Sequence, residues 1–544
     1  MRFVKQILCS APMTVLAISG VSLLVVWPTL AEQHWGLLDD GVTLAVAREL
    51  QRTWHIPASE AGRFFPAYFV YYALEYRFFG TEIGGYYVVQ ALLLIFTTLL
   101  LYAIVHTLTG SMGLGWLGVF LFLTSSTIPE NYYTVSKQEP RLLFFLLSSL
   151  YCYIRADLAA QRSHAQMITH RLPCRGALMW GVASAVSLMI AYLTKETTLI
   201  VLPAAFLWVL GACWLEKGEA RRPRTHAALG YLGINLVTGI LFVLAAYVYT
   251  PTPLPWVGSY TGLGLSLTPS VETLLYYLKV NFDVLLLVGL ALVGMLCWSM
   301  LQPPVPSVLA AYTLFCLLCA GLYLVLFIFV WKLTLAYYLL PAAGWAVIAS
   351  SLLLKMLTAD RPVSLTRASV LGVLIVGLVC SRVYAIPAFY NAAVALNAWH
   401  TVNGRMLAWA ATLSENSRLL FINVPSEHEY IFEARLLLRL LYSREDILVA
   451  GASDVEDAVR QARPSDFVVM NFGAEANRQV WVRAVQAIPP LEFSRQALLS
   501  ATPSLGLEEA FHVESRRTIL VPFSVRLRSF VLGWAGYRVA VHPE

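Results

Sequence analysis

Charge is scarce in this chain: of 544 residues only 13% are Asp, Glu, Lys or Arg, while 58% are hydrophobic and the mean hydropathy is +0.67. That composition excludes a soluble protein, whose surface needs far more polar side chain, and makes the bilayer part of the solvent. A basic stripe is also missing. The formal net charge is +6, but Lys and Arg are scattered between apolar runs, which excludes a nucleic-acid partner. The polar C-terminal part carries neither Gly-x-Gly-x-x-Gly nor a phosphate loop. The cysteines, at 9, 152, 174, 213, 297, 316, 319 and 380, lie in or beside apolar segments, so no disulfide framework is expected. Cys316 and Cys319 form a C-x-x-C inside an unbroken apolar run without a second ligand pair, and are assigned to core packing. No internal repeat marks a transporter built from two halves.

What the sequence has instead is a series of long apolar runs. Residues 7–30 follow Arg2 and Lys5, exceed a signal-peptide core and lead to no small-x-small cleavage site, so they form a retained first span. Further spans are expected near 84–106, 112–128, 140–157, 178–194, 197–215, 227–249, 281–301, 307–330, 333–354 and 368–388, giving about eleven crossings. With the N-terminus cytoplasmic, the connections 155–177, 216–226 and 355–367 are cytoplasmic too. They hold most of the basic loop residues, among them Arg155, Arg171, Lys217, Arg222, Lys355 and Arg367, as the positive-inside rule requires. The 31–83, 129–139 and 251–280 loops and everything after 389 then lie on the outer, periplasmic or extracellular, face.

Two domains are expected, a transmembrane part over 1–390 and an outer soluble part over 391–544. The 31–83 loop holds two helical stretches, Gly41 to Trp54 and Phe65 to Phe79. The second sets Phe65, Tyr68, Phe69, Tyr72 and Tyr76 at helical spacing, a face turned either to the lipid interface or onto other loops. The 251–280 segment begins with three prolines in five residues and is a loop, with a short helix from Val271. In the C-terminal part, strands at Leu419–Val424, Ile447–Ala450 and Phe467–Asn471 alternate with helices at Glu427–Tyr442 and Val455–Ala462, the pattern of a small α/β layer with a largely parallel sheet.

An ionisable residue at membrane depth or at the mouth of a bundle is costly unless solvated or paired, so each is a functional candidate. Five clusters qualify. Asp39-Asp40 can abstract a proton or hold a metal, or can cap the helix that follows. Arg63, in Gly62-Arg63-Phe64-Phe65-Pro66, can meet an anionic headgroup or simply snorkel. Lys137-Gln138-Glu139-Pro140-Arg141 opens the fourth span, as a solvated rim or as part of a site. Thr194-Lys195-Glu196-Thr197 interrupts about 38 apolar residues, where Lys195 pairs with Glu196 or binds a phosphate oxygen. Lys332 with Tyr337 and Tyr338 makes a last polar turn. All five fall on the same side. A carboxylate pair facing several cations suits a reaction on a phosphate-activated, lipid-linked substrate, in which the carboxylate activates the acceptor and the cations stabilise the leaving phosphate.

Over about residues 1–390 the sequence resembles the GT-C glycosyltransferases, membrane enzymes that include the protein O-mannosyltransferases and the lipid A aminoarabinose transferase. The resemblance lies in the order of short motifs. They are Leu38-Asp39-Asp40-Gly41 with Ala47-Arg48-Glu49-Leu50, Gly62 to Pro66 with Phe78-Phe79-Gly80, Ala191 to Glu196 with Leu202-Pro203, and Lys332 to Pro341. It implies transfer of a sugar from a polyprenyl-phosphate-linked donor to an acceptor lipid, glycan or protein at the outer face, with inversion at the anomeric carbon. By that resemblance Asp39 is the general base, Asp40 its neighbour or alternate and Glu139 a further acidic residue. Arg63, Lys195 and Lys332 bind the donor phosphate, and Glu196, Tyr337 and Tyr338 line the pocket. No metal ligand is assigned, and a divalent metal as cofactor stays open. Two competing readings are a transporter or flippase of a lipid-linked saccharide and a non-catalytic membrane scaffold. The first would place its ionisable residues at the midplane on broken helices, whereas here they sit at turns.

Overall fold

The structure is a computed structural model that describes residues 11–37, 39–54, 64–166, 175–215, 222–249, 267–301, 307–331, 334–358, 365–422, 429–473, 506–520 and 526–540, with the single positions 424, 496 and 500. Among these residues ten helices are long and apolar enough to cross a membrane. They include α1 (Ala11–Ala31), α4 (Ile83–Thr109), α7 (Glu139–Gln166), α8 (Arg175–Thr194), α9 (Val201–Leu215) and α10 (Arg222–Tyr249). The others are α12 (Phe282–Leu301), α13 (Ser307–Val325), α14 (Leu340–Thr358) and α15 (Leu365–Ala410), where the spans beginning at Glu196, running to Val330 and beginning at Ala336 take in short 3-10 or π turns. The chain is an integral membrane protein.

The expected span at 112–128 is shorter than anticipated. Its helix, α5 (Met112–Leu123), covers roughly 18 Å at 1.5 Å per residue, too little to cross alone. The chain then breaks into Thr124–Thr127 and the single turn α6 (Ile128–Tyr132). Backbone groups freed by that break at depth must find partners. Arg382 donates to the Leu121 carbonyl at 2.8 Å and to Thr124 Oγ1 at 3.0 Å. Asp283 accepts from the Ser126 amide at 3.2 Å and from the Ser125 and Ser126 hydroxyls at 3.1 and 2.5 Å. Helix α14 is the central post, with nearly every residue buried. Its run of small residues lets neighbours approach closely, and a Cβ at Gly344 would lie 2.8 Å from Leu143. Cys316 and Cys319 are buried free thiols in α13, in keeping with core packing.

Both helices expected in the first long loop form, α2 (Asp40–Thr53) and α3 (Pro66–Phe79). The choice left open for α3 falls on packing against other loops. The Tyr68 hydroxyl donates to the Ser136 carbonyl at 2.9 Å and Tyr72 to that of Val135, and Phe65 is buried with them. The phenols turn inward because their hydroxyls find partners there, and it is Val70, Leu74 and Phe78 that face outward. Helix α11 (Leu267–Val280) begins before the expected Val271.

Helix α15 has 46 residues and runs on from the membrane into the C-terminal domain, where Trp399 and Trp409 pack on the sheet against Trp534 and Phe511. The strands are β1 (Arg418–Ile422), β2 (Leu448–Ala452), β3 (Phe467–Gly473), β4 (Gly506–Leu520) and β5 (Leu527–Ala540), in the order β2-β1-β3-β5-β4. The first three pair in parallel around the expected helices α16 (Glu429–Tyr442) and α17 (Val455–Gln461). The sheet as a whole is mixed, because the long hairpin β4–β5 adds to β3 antiparallel. β4 carries charges in adjacent pairs (Glu508, Glu509 and Arg516, Arg517), and the hairpin has little of the continuous Val/Ile/Leu signal of buried strands.

Candidate active site

Four of the five charged clusters meet at one end of the bundle. Asp39 is the residue before α2, in left-handed backbone at φ 63°, and its carboxylate makes no cap of the helix it precedes. It accepts instead from Lys137 Nζ at 2.9 Å. About half of the Asp39 side chain is exposed, against a tenth of Lys137. Asp40, one residue on, is fully buried and accepts from the Gly36 amide at 2.8 Å.

A second pair stands beside the first. Lys195 and Glu139 form a buried ion pair, which replaces the Lys195–Glu196 alternative. Each ammonium lies against a phenol ring, Lys137 at 4.4 Å from the Tyr337 centroid and Lys195 at 4.0 Å from that of Tyr338. The two rings touch at 4.5 Å between centroids. The turn carrying Tyr337 and Tyr338 is a short 3-10 segment, Ala336–Leu339, reached from a π-helical turn at Leu326–Val330, irregular backbone of the kind found at functional sites. Glu196 is buried at the start of the 3-10 turn after α8. Arg63 and Lys332 lie outside the described residues.

The C-terminal domain also reaches this end, which sequence reasoning missed. Glu429 and Glu433 stand one turn apart on α16. Glu429 accepts from the Asp39 amide at 3.1 Å, while Glu433 accepts from the amides of Gly41 and Val42. The available signal was the i, i+4 carboxyl spacing, with Glu433 lying among residues that should face a core. Lys137 was noticed only as part of its cluster. Behind these, Arg141 joins Glu75 in a buried pair and donates to the Tyr72 hydroxyl at 2.8 Å.

The carboxyls at this end are driven apart in acidity. The Lys137 charge holds Asp39 below the ordinary aspartate value, and Lys195 adds to the lowering. Burial lifts Asp40 to about 6. Burial, then the Asp40 charge, lifts Glu433 to about 8, and partial desolvation, then Asp39, lifts Glu429 to about 7. Burial works against the Lys137 ammonium, but the Asp39 carboxylate outweighs it and keeps Lys137 charged. At neutral pH Asp39 is therefore an ionised carboxylate open to solvent, surrounded by carboxyls that hold their protons more readily. Such a separation of acidities is a mark of acid–base sites. Among the described residues no group of three or more His, Cys, Asp or Glu is gathered for a metal ion.

A bundle of this size, with a polar site at one end roofed by a small sheet domain, has counterparts among solved structures. The whole chain is similar to the crystal structure of ArnT from Cupriavidus metallidurans bound to undecaprenyl phosphate, with a TM-score of 0.51 and 16% identity over 98% of this chain and 100% of that one. The apo form of the same protein matches with a TM-score of 0.50 and 15% identity over the same shares. An oligosaccharyltransferase from Archaeoglobus fulgidus matches with a TM-score of 0.47 and 10% identity, over 91% of this chain and 73% of that one. Residues 61–252 match the family model described as dolichyl-phosphate-mannose-protein mannosyltransferase. A sequence search of curated proteins found no match. The chain therefore shares the fold of the ArnT membrane protein, and about a third of it matches the mannosyltransferase family model.

Proposed function

We propose that the protein transfers a sugar from a polyprenyl-phosphate-linked donor to an acceptor lipid, glycan or protein at the outer face of a cell membrane, with Asp39 as general base. The observation that carries this reading is the Asp39 carboxylate itself, ionised, half-exposed and turned away from the helix end it would otherwise cap. The family model that matches residues 61–252 and the ArnT structure bound to undecaprenyl phosphate support the donor class. The C-terminal domain and the site share one end of the bundle, and the basic residues of the opposite connections support reading that end as the outer one and the N-terminus as cytoplasmic.

Asp39 takes the proton of an acceptor hydroxyl whose oxygen attacks the anomeric carbon. The bond from that carbon to the phosphate oxygen breaks on the opposite side, its electron pair leaves with the polyprenyl phosphate, and configuration inverts. The new negative charge needs cations. Lys195 would supply one by exchanging the Glu139 carboxylate for a phosphate oxygen, and Arg63 and Lys332 would complete the clamp. Asp40 and Glu196 shape the polar floor, and Tyr337 and Tyr338 form the wall on which the sugar stacks.

Mass spectrometry of lipids that co-purify in mild detergent tests the donor site. Wild type should retain a polyprenyl-phosphate species, and the Lys195→Ala/Arg63→Ala double variant should lose it. Equal retention by both would remove these cations from the phosphate site.

A further inference from the structure

The start of α2 has an unusual cap. A helix leaves its first amides without partners, and an Asp at the preceding position commonly serves them with its own side chain. Asp39 occupies that position but does not do so, and its backbone lies in the left-handed region that side-chain-bearing residues avoid. The amides it leaves open are taken from outside. Glu433 accepts from Gly41 at 2.5 Å and from Val42 at 3.2 Å, and Glu429 accepts from Asp39 at 3.1 Å. Position 41 must be glycine for this approach, since a Cβ there would lie 2.6 Å from Glu433 Oε2 and 3.2 Å from the Leu436 Cβ. Glu433 is wholly buried, flanked on α16 by the core residues Ala434 and Leu437. A carboxyl in such surroundings is destabilising unless its oxygens have donors, and the α2 amides are those donors.

From this arrangement we infer that Glu433 is a positioning residue for Asp39. The C-terminal domain, through α16, takes over the cap of α2 and so leaves the Asp39 carboxylate free to face Lys137 and the acceptor. The inference rests on Asp39 being the base. It gives the C-terminal domain a part in the chemistry, since the base cannot hold its working orientation without a residue nearly 400 positions away in the chain.

Two measurements on the full chain in detergent micelles test it, on wild type, Glu433→Ala and Glu433→Gln. Hydrogen–deuterium exchange over residues 36–44 should quicken roughly tenfold at Gly41 and Val42 in Glu433→Ala. In Glu433→Gln, whose single amide oxygen still accepts from one of the two, only the other amide should quicken, while unchanged exchange in the spans shows that the bundle is intact. Kinetics with undecaprenyl-phosphate-linked mannose and undecaprenyl-phosphate-linked 4-amino-4-deoxyarabinose as donor probes should show kcat falling roughly tenfold or more in Glu433→Ala, with donor KM unchanged and Gln restoring part of the rate. Unchanged exchange, or faster exchange with full kcat, would overturn the positioning role. Retained turnover in Asp39→Asn would instead overturn the base, and the exchange result would still decide whether Glu433 holds the turn.

Discussion

The protein buries charge in two places that look alike in sequence and differ in structure. Around Asp283 every strong group is spoken for: its carboxylate takes the hydroxyls of Ser125 and Ser126, the Ser126 amide and Arg382 at 3.4 Å, and none of its side chain is exposed. Around Asp39 the side-chain partners are the Lys137 ammonium and the Glu429 carboxyl, half of the side chain is open, and the backbone is held in a conformation that costs energy. The first arrangement ends a helix inside the membrane. The second leaves a carboxylate with capacity to accept a proton. Burial alone does not distinguish a site from a scaffold here; the hydrogen-bonding capacity left over does.

The sharpest way to break that comparison is to neutralise each carboxylate. Asp39→Asn keeps shape and should lower kcat by about 10²–10⁴-fold, the usual contribution of a general base, with thermal stability close to wild type. Sugar transfer from a polyprenyl-phosphate donor is the assay, and near-normal turnover would place the base elsewhere. Asp283→Ala should do the reverse. It leaves the buried Arg382 guanidinium without its carboxylate, at a cost of about 3–5 kcal/mol, read as a large fall in Tm and yield. Molecules that do fold should keep a wild-type pH profile.

How much of this was legible in the sequence depends on how local the cause is. Ten of the eleven expected spans and the helices α2, α3, α16 and α17 follow from periodicity within 10 to 25 residues, and the structure has them. That the clusters around Asp39, Lys137, Lys195 and Tyr337 share one end of the bundle was legible too, because spans that alternate direction put every second turn at one end. Pairing was not. That Lys195 meets Glu139 and not its neighbour Glu196 depends on how α7 and α8 pack, which spacing along one helix cannot reveal. Glu429 and Glu433 were invisible as site residues because the contact joins positions about 390 apart. The hairpin at 506–540 was missed because β4 carries its charges in adjacent pairs and the apolar run of β5 is broken by Gly533 and Gly536.

A smaller effect is expected from Lys137→Met, which sharpens the contrast between the two carboxylates by removing the charge beside Asp39. Lys137 is the main reason Asp39 lies below its ordinary value, and without it desolvation is opposed only by the smaller influences of Glu429 and Lys195. A base works only when ionised, so a higher Asp39 pKa moves the acid limb of kcat/KM to higher pH. The shift should be about 1–3 units, the usual influence of an adjacent opposite charge. An unmoved limb would show that another group sets it.

The smallest expected effect is on stability and concerns Glu433, whose carboxyl is lifted from 4.5 to about 8 mainly by burial. Because the folded state binds this proton more tightly than the unfolded chain does, the contribution to stability is fully present below about 4.5 and is lost as pH rises through about 8. Glu433→Gln resembles the protonated form and does not titrate. The Tm difference between wild type and Glu433→Gln should therefore drift in favour of the variant between pH 5 and pH 9, by a few degrees at most in a bundle of this size. The drift belongs to the end of the bundle where protons are exchanged, and a flat difference across that range would mean that Glu433 is ionised throughout and caps α2 as a fixed charge.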